Sequence, residues 1–328
     1  MRSIFLHEAT FQRLADRLKP FKSDICPQLY YDNGDVRQPW HADVDGAACD
    51  AIAFGSADIY FSPVAAKFFA DVLAQSQLAW FQSGAAGFDH PMLRALGTKA
   101  GLFSNSHAQS DAIAEWVIWA GLDHFQNGMA RRKAQSAKSW ERLAAREISS
   151  TRWLILGFGM IGRATGRRLK ALGAHVTGLR RSSGTDPDAD VLITPDQLND
   201  ALGTADAVLL AMPHNRATEA IADTGFFGRM RQGSLFINVG RGALVDEPAL
   251  LAGLKQNKPG FAALDVFRNE PLSGDSPFWE HPQVMLTPHI SAVTQQASAR
   301  TDALFLENLQ HFLNGKPLLH HVRKSTFS

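Results

Sequence analysis

The chain has 328 residues, enough for two domains with separate cores. Hydrophobic residues make up 45% and charged residues 20%, the balance of an ordinary globular protein. The net charge of +1 provides no basic excess of the kind that argues for nucleic acid, and the run Arg131-Arg132-Lys133 reads as a solvated helix face.

Short apolar runs at Ser3–Leu6, Ala51–Phe54, Leu78–Phe81 and Leu102–Phe103 read as strands, with helical patterns at Phe11–Leu18, Pro63–Ala74 and Pro91–Leu96. This alternation predicts βαβ units on a parallel sheet. Parallel sheets bind ligands beyond the carboxyl ends of their strands, and Gly84-Ala-Ala-Gly87 is the strongest loop in such a position. Asp111 is placed to cap a long helix to about Lys133, with Ile113, Trp116, Val117 and Ala120 on its apolar face. A helix of that length suits a connector between domains or a surface for a second subunit. The polar segment from Gln135 to Ser150 reads as surface helix or loop. A second series follows at Arg152–Leu156, Ala174–Leu179, Ala207–Met212, Ser234–Val239, Gly260–Asp265 and Val284–Thr287, predicting a doubly wound sheet. Thr294 to Asn314 is helical by the spacing of Ala303, Leu306, Leu309 and Phe312, and is expected to return to the first domain.

Cys26 and Cys49 form no C-x-x-C pair and neighbour no histidine cluster of zinc spacing, so buried thiols in a reducing compartment are expected and no metal. The N-terminus, Met-Arg-Ser-Ile-Phe-Leu-His-Glu, reaches charge before a signal-peptide core could form. The most apolar stretch, Ala112 to Leu122, is interrupted by Glu115 and too short for a bilayer. A cytoplasmic protein without membrane contact is the expectation.

Gly157-Phe158-Gly159-Met160-Ile161-Gly162 follows an apolar strand and opens a helix, the context in which G-x-G-x-x-G binds a dinucleotide. Gly157 would permit the tight turn, Gly159 the approach of a pyrophosphate, and Gly162 close packing of helix on strand. The free N–H groups of the helix start favour the negative charge. An NAD-binding strand normally ends here in an acid for the ribose 2′-hydroxyl, but this one ends Leu179-Arg180-Arg181-Ser182-Ser183. Arginine pairs with a 2′-phosphate, so NADP(H) is the preferred cofactor and NAD(H) the alternative. Asp186, Asp188 and Asp190 lie too far along the loop to replace the missing acid.

Three later motifs each contribute one charged residue: Asn238-Val-Gly-Arg241-Gly, Asp265-Val-Phe-Arg-Asn-Glu270-Pro and Thr287-Pro-His289-Ile. A guanidinium fork matches a 2-oxo acid bidentately. A Glu–His pair can move one proton while a dinucleotide moves a hydride.

With Leu78-Ala-Trp-Phe-Gln-Ser83-Gly-Ala-Ala-Gly-Phe-Asp89 and Ser104-Asn-Ser-His-Ala-Gln-Ser-Asp-Ala-Ile-Ala-Glu115, these motifs resemble, in order and spacing, the D-isomer-specific 2-hydroxyacid dehydrogenases. The resemblance implies an α/β protein of two doubly wound parallel-sheet domains with an interdomain cleft. Residues 1–106 and 290–328 would form a flavodoxin-like substrate domain, and 107–289 a Rossmann dinucleotide domain. It implies that Arg241 binds the substrate carboxylate and carbonyl, that His289 is the proton donor and that Glu270 orients it. Ser83, Gly84 and Ala85 would offer backbone N–H groups to the carboxylate. Met212-Pro213, Val239, Gly240 and Asp265 would join the loop, Arg180, Arg181, Ser182 and His289 on the cofactor side, with Asp265 facing the nicotinamide carboxamide. Ser291-Ala292 stand where many members have two glycines, which would narrow that pocket. A homodimer through the Asp111–Lys133 region is also implied. Glyoxylate or hydroxypyruvate is the expected substrate. The alternatives are an NAD-dependent enzyme such as phosphoglycerate dehydrogenase and a dinucleotide-sensing corepressor-like protein. Formate dehydrogenases, which pair the His with Gln, are disfavoured by Glu270.

Overall fold

A computed structural model describes residues 1–40, 50–87 and 90–327, so Cys49 and Asp89 lie outside the described residues. The chain forms two compact units, Met1–Gln109 with Val293–Ser328, and Ser110–Ala292.

In the first unit the strands are β1 (Arg2–His7), β2 (Ile25–Tyr30), β3 (Val36–Arg37), β4 (Ala51–Gly55), β5 (Leu78–Ser83) and β6 (Leu102–Ser104). Their order is β3-β2-β1-β4-β5-β6, all parallel except β3. Without that two-residue edge strand, this is the flavodoxin-like order 2-1-3-4-5. Helices α1 (Glu8–Leu18), α2 (Ala57–Tyr60), α3 (Ala65–Ala74) and α4 (Pro91–Lys99) connect the strands. Apolar clusters lie on both faces, one around Phe68, Phe81 and Phe103, the other around Ile52, Trp80 and Phe305. The second is closed by the helix Gln295–Leu313, whose Phe305 ring stacks on Phe54 at 4.3 Å.

The sequence pattern missed β2 because Pro27 lies within it. Proline removes a ladder donor and is confined to weakly paired strands. On the side away from β1, only Leu29 and Tyr30 are paired, by β3, so the missing N–H costs little there.

The second unit opens with α5 (Ser110–Phe125) and α6 (Gly128–Ser136), where one long helix was expected. The break is Asn127, at φ 55. Asn tolerates this left-handed conformation better than most residues, and Gly128 follows. Asp111 lies in the first turn of α5, and its carboxylate accepts from Arg168 Nη2 at 2.9 Å.

The strands are β7 (Arg152–Leu156), β8 (His175–Leu179), β9 (Val191–Ile193), β10 (Ala207–Leu210), β11 (Leu235–Asn238), β12 (Phe261–Leu264) and β13 (Val284–Leu286). All pair in parallel, in the order β13-β12-β11-β10-β7-β8-β9. Helices α7 (Met160–Ala171), α8 (Leu198–Thr204), α9 (Thr224–Arg229) and α10 (Glu247–Lys255) complete the winding. The central strands read Ala-Val-Leu-Leu, Leu-Phe-Ile-Asn and Phe-Ala-Ala-Leu and are wholly buried, as a sheet covered on both faces requires. Strand order reverses between β7 and β10, so the crevice beyond their carboxyl ends is where such a sheet binds ligands. No helix among the described residues is long and apolar enough to cross a membrane.

Candidate active site

Gly157 ends β7 at φ +94, and a Cβ there would lie 2.6 Å from the Met212 backbone, so the loop is pressed against the end of β10. A Cβ on Gly162 would meet the Gly157 carbonyl at 2.7 Å, so α7 starts hard against the turn. A Cβ on Gly159, by contrast, would find nothing within 4 Å. That open glycine is also the cap of α7 and brings no side chain to it. The first α7 backbone N–H groups, Met160, Ile161 and Gly162, have no acceptor among the described residues. Open space beside uncapped donors suits an anionic pyrophosphate. Phe158 plays another part: its ring is buried against Gly178 and Gly166 and holds the loop to β8.

Beyond β11, the Asn238 side chain shapes the next turn: Oδ1 accepts from Gly240 N at 3.0 Å and Nδ2 donates to Arg241 O at 2.9 Å. Arg241 Nη1 donates to the Gly240 carbonyl at 2.7 Å. Gly242 permits no side chain, because a Cβ would fall 1.8 Å from the Phe267 carbonyl carbon. That contact lays the Arg241 turn on the loop after β12, which carries Glu270.

Glu270 Oε1 accepts from Phe267 N at 2.9 Å, and Oε2 lies 2.7 Å from His289 Nδ1. His289 sits at φ 56, a left-handed conformation that costs a non-glycine residue about 1–3 kcal/mol. Asp265 holds it there. The His289 N–H donates to the Asp265 carbonyl at 2.8 Å, and the buried Asp265 carboxylate accepts from Thr287 Oγ1 at 2.5 Å, Ile290 N at 2.9 Å, Ser291 N at 3.1 Å and Ser291 Oγ. Four donors fill the lone pairs of a carboxylate. Within this chain the work of Asp265 is therefore to fix the His289 turn, and any nicotinamide carboxamide would have to share an oxygen already engaged. Neither Thr287 nor Ser291 had been singled out for this; the only signal was the acid ending one strand and hydroxyls flanking Pro-His. The Ser291 hydroxyl expected to narrow the pocket is turned onto Asp265.

The hydrogen bond from His289 Nδ1 to the Glu270 carboxylate raises the His289 pKa; burial and the nearby Arg241 charge oppose this without overcoming it. Burial pushes the Glu270 carboxyl up, but His289, the Phe267 N–H and the Arg241 charge outweigh it, and its pKa lies below the ordinary value. The pair thus favours carboxylate with imidazolium. His289 Nε2 has no hydrogen-bond partner among the described residues, and the Arg241 charge acts on the imidazole. An arginine, an imidazole oriented by a carboxylate, and a glycine loop with unused N–H groups lie in one unit, a set suited to reduction of a carbonyl beside a carboxylate.

A family model described as "D-isomer specific 2-hydroxyacid dehydrogenase, NAD binding domain" matches residues 118–291, more than half of the chain. The chain belongs to the D-isomer-specific 2-hydroxyacid dehydrogenase family. A glyoxylate/hydroxypyruvate reductase A from Citrobacter koseri is 30% identical over 64% of this chain and 64% of its own length. A chloroplastic D-3-phosphoglycerate dehydrogenase 2 from Arabidopsis thaliana is 36% identical over 52% of this chain and 28% of its own length. The chain thus spans less than two thirds of either relative. A solved NADPH-dependent glyoxylate/hydroxypyruvate reductase from Sinorhizobium meliloti, in complex with NADP and sulfate, aligns with a TM-score of 0.78 at 24% identity, covering 100% of this chain and 99% of that one. At that identity the likeness is one of fold.

In this family member the arginines after β8 divide in role. Arg180 is committed internally: Nε donates to Ser182 O at 2.9 Å, Nη2 to Ser183 O at 3.4 Å, and Nη1 lies 4.0 Å from Asp186. Asp186 is buried and also pairs with Arg163 of α7 at 2.8 Å. The loop folds back and brings this acid to both arginines, which occupy it. Arg181 is exposed and forms no hydrogen bond or ion pair among the described residues.

The loop after β5 also differs from expectation. Gly84 N donates to Gly55 O at 2.7 Å and Ala85 N to Ser83 Oγ at 3.1 Å. These N–H groups are engaged within the chain and are not available for a carboxylate. The next two, on Ala86 and Gly87, have no acceptor among the described residues. Among the described residues no group of three or more His, Cys, Asp or Glu could hold a metal ion.

Proposed function

We propose that this chain reduces a small 2-oxo acid, of the glyoxylate or hydroxypyruvate kind, to the D-2-hydroxy acid with NADPH. The observation that carries the reading is the 2.7 Å pairing of His289 Nδ1 with Glu270, which raises the imidazole pKa and leaves Nε2 without a hydrogen-bond partner among the described residues. Gly157–Gly162, with Met212, Pro213, Val239 and Gly240, would hold a nicotinamide dinucleotide, which would supply the hydride. Arg241 takes the substrate carboxylate and polarises the 2-oxo group. His289 donates its Nε2 proton to the carbonyl oxygen, and Glu270 stabilises the imidazolium beforehand and the ring tautomer afterwards. In the oxidative direction the same nitrogen takes the proton back. The N–H groups of Ala86 and Gly87 replace those of Gly84 and Ala85 as anchors for a carboxylate.

Arg181 supports a preference for NADPH, since it offers an unengaged guanidinium where an NAD-dependent member would carry an acid. The resemblance to phosphoglycerate dehydrogenase supports the NAD-dependent alternative. We also infer a homodimer through α5 and the segment after α6, where Trp119 is 50% and Trp140 94% exposed.

Steady-state oxidation of NADPH and NADH with a panel of 2-oxo acids tests the reading. Turnover of glyoxylate or hydroxypyruvate with NADPH favoured is the expected result. Absence of turnover with every 2-oxo acid would refute it.

A further inference from the structure

We infer that Asn105 is a positioning residue for substrate: it aims the Ala86 and Gly87 N–H groups at the carboxylate, although it touches no reacting atom. The inference rests on the reductase reading and deepens it.

Three successive carbonyls of the loop after β5 are held from behind. Gln109 Nε2 donates to Gly84 O. Ser106 N donates to Ala85 O at 3.2 Å, joined by Ser83 Oγ at 3.3 Å. Asn105 Nδ2 donates to Ala86 O at 2.7 Å. In a trans peptide the carbonyl and the following N–H point in opposite directions. Holding Ala85 O therefore directs the Ala86 N–H away from the body of the unit, and holding Ala86 O does the same for Gly87 N–H. Two successive N–H groups presented together form an anion-binding concavity, and neither is used within the described chain.

Asn105 can set this geometry because it is itself fixed. It is buried, its N–H donates to His320 O at 3.2 Å, and its carbonyl accepts from Gln82 Nε2 at 3.2 Å. Gln82 is locked in turn: Nε2 also donates to Ser83 O at 3.0 Å, while Oε1 accepts from Ser104 Oγ and Asn308 Nδ2, each at 2.8 Å. A buried chain of satisfied polar groups thus runs from the C-terminal helix to the loop. An apolar core would hold β5 and β6 equally well, so the polar chain is best explained by the loop it orients.

The test compares wild type with Asn105→Asp, nearly isosteric but without the donor, and with Gly87→Pro, which removes the N–H itself. Oxamate, a non-reacting analogue of a 2-oxo acid, is titrated calorimetrically into each protein saturated with NADPH. KM for glyoxylate, KM for NADPH and the unfolding midpoint are measured beside it. Asn105→Asp should weaken oxamate and raise KM for glyoxylate by about tenfold, with kcat within about threefold and KM for NADPH unchanged. Gly87→Pro should give a similar loss, and the double variant should be little worse than either single one. Equal oxamate affinity in wild type and Asn105→Asp would overturn the inference while wild-type turnover still upheld the reductase reading. A loss of NADPH affinity in parallel with oxamate would also overturn it, since that marks general disruption. A wild type that neither turns over nor binds oxamate would remove both.

Discussion

The backbone N–H of His289 donates to the carbonyl of Asp265 at 2.8 Å, so the residue that follows β12 fixes the left-handed turn that carries the proton donor. The Asp265 carboxylate completes the hold through Thr287, Ile290 and Ser291. Asp265→Ala leaves these donors without an acceptor in a buried place and should lower the stability of the unit by about 3 kcal/mol. Turnover should fall with it, because His289 loses its support. Urea unfolding and kcat, measured together, check this; an unchanged midpoint would show that the clamp is unimportant.

The three glycines of the dinucleotide loop should separate by experiment. Gly159→Ala enters open space and should change stability by no more than about 1 kcal/mol while weakening NADPH at least about tenfold. Gly162→Ala must push against the Gly157 carbonyl, 2.7 Å from the new methyl, and should destabilise the fold by about 1–3 kcal/mol. Unfolding curves set beside cofactor titrations distinguish the two.

The two arginines after β8 should also separate. Arg181→Ala should raise KM for NADPH by about tenfold or more and leave NADH unaffected, since a charge-assisted contact to phosphate contributes about 1.5–3 kcal/mol. Arg180→Ala should loosen the Ser182–Asp186 fold and weaken both cofactors. If Arg180→Ala alone changed the NADPH to NADH ratio, these roles would be reversed.

At the reacting centre, His289→Ala should lower kcat by about 10²–10⁴-fold while NADPH binding persists. Arg241→Ala should raise KM for the 2-oxo acid and lower kcat as well, because the fork both binds and polarises. Steady-state kinetics with fluorescence titration of NADPH reads both variants. Loss of NADPH binding in His289→Ala would place the ring in cofactor binding instead of proton transfer.

Motifs of adjacent residues were the legible part of this site. Gly157, Gly159 and Gly162 each have the steric surroundings that their spacing implied, and Glu270 meets His289. The parts that spacing could not reveal depend on partners distant in sequence. Periodicity continues a helix through Gln126-Asn127-Gly128, although Asn127 can leave the helical region and does. Ser83, Gly84 and Ala85 looked like donors to a ligand because nothing local shows that Gly55 and the Ser83 hydroxyl take two of those N–H groups first. Arg180 looked free until the loop folded Ser182, Ser183 and Asp186 around it. Asp265 read as a ligand group because its donors come from Thr287 to Ser291 on the following strand's turn.

The pH–rate profile of glyoxylate reduction with NADPH, wild type beside Glu270→Gln, tests the proton relay most directly. Reduction needs the imidazolium, so the rate holds below the His289 pKa and falls as pH rises through it. Glu270 raises that pKa most, burial and Arg241 lower it, and the Asp265 charge raises it least. Removing the Glu270 carboxylate leaves only Asp265 against burial and Arg241, so the reductive limb of Glu270→Gln should move to lower pH, and oxidation of the 2-hydroxy acid should persist to lower pH. A Glu270→Gln profile that coincides with wild type would contradict the account.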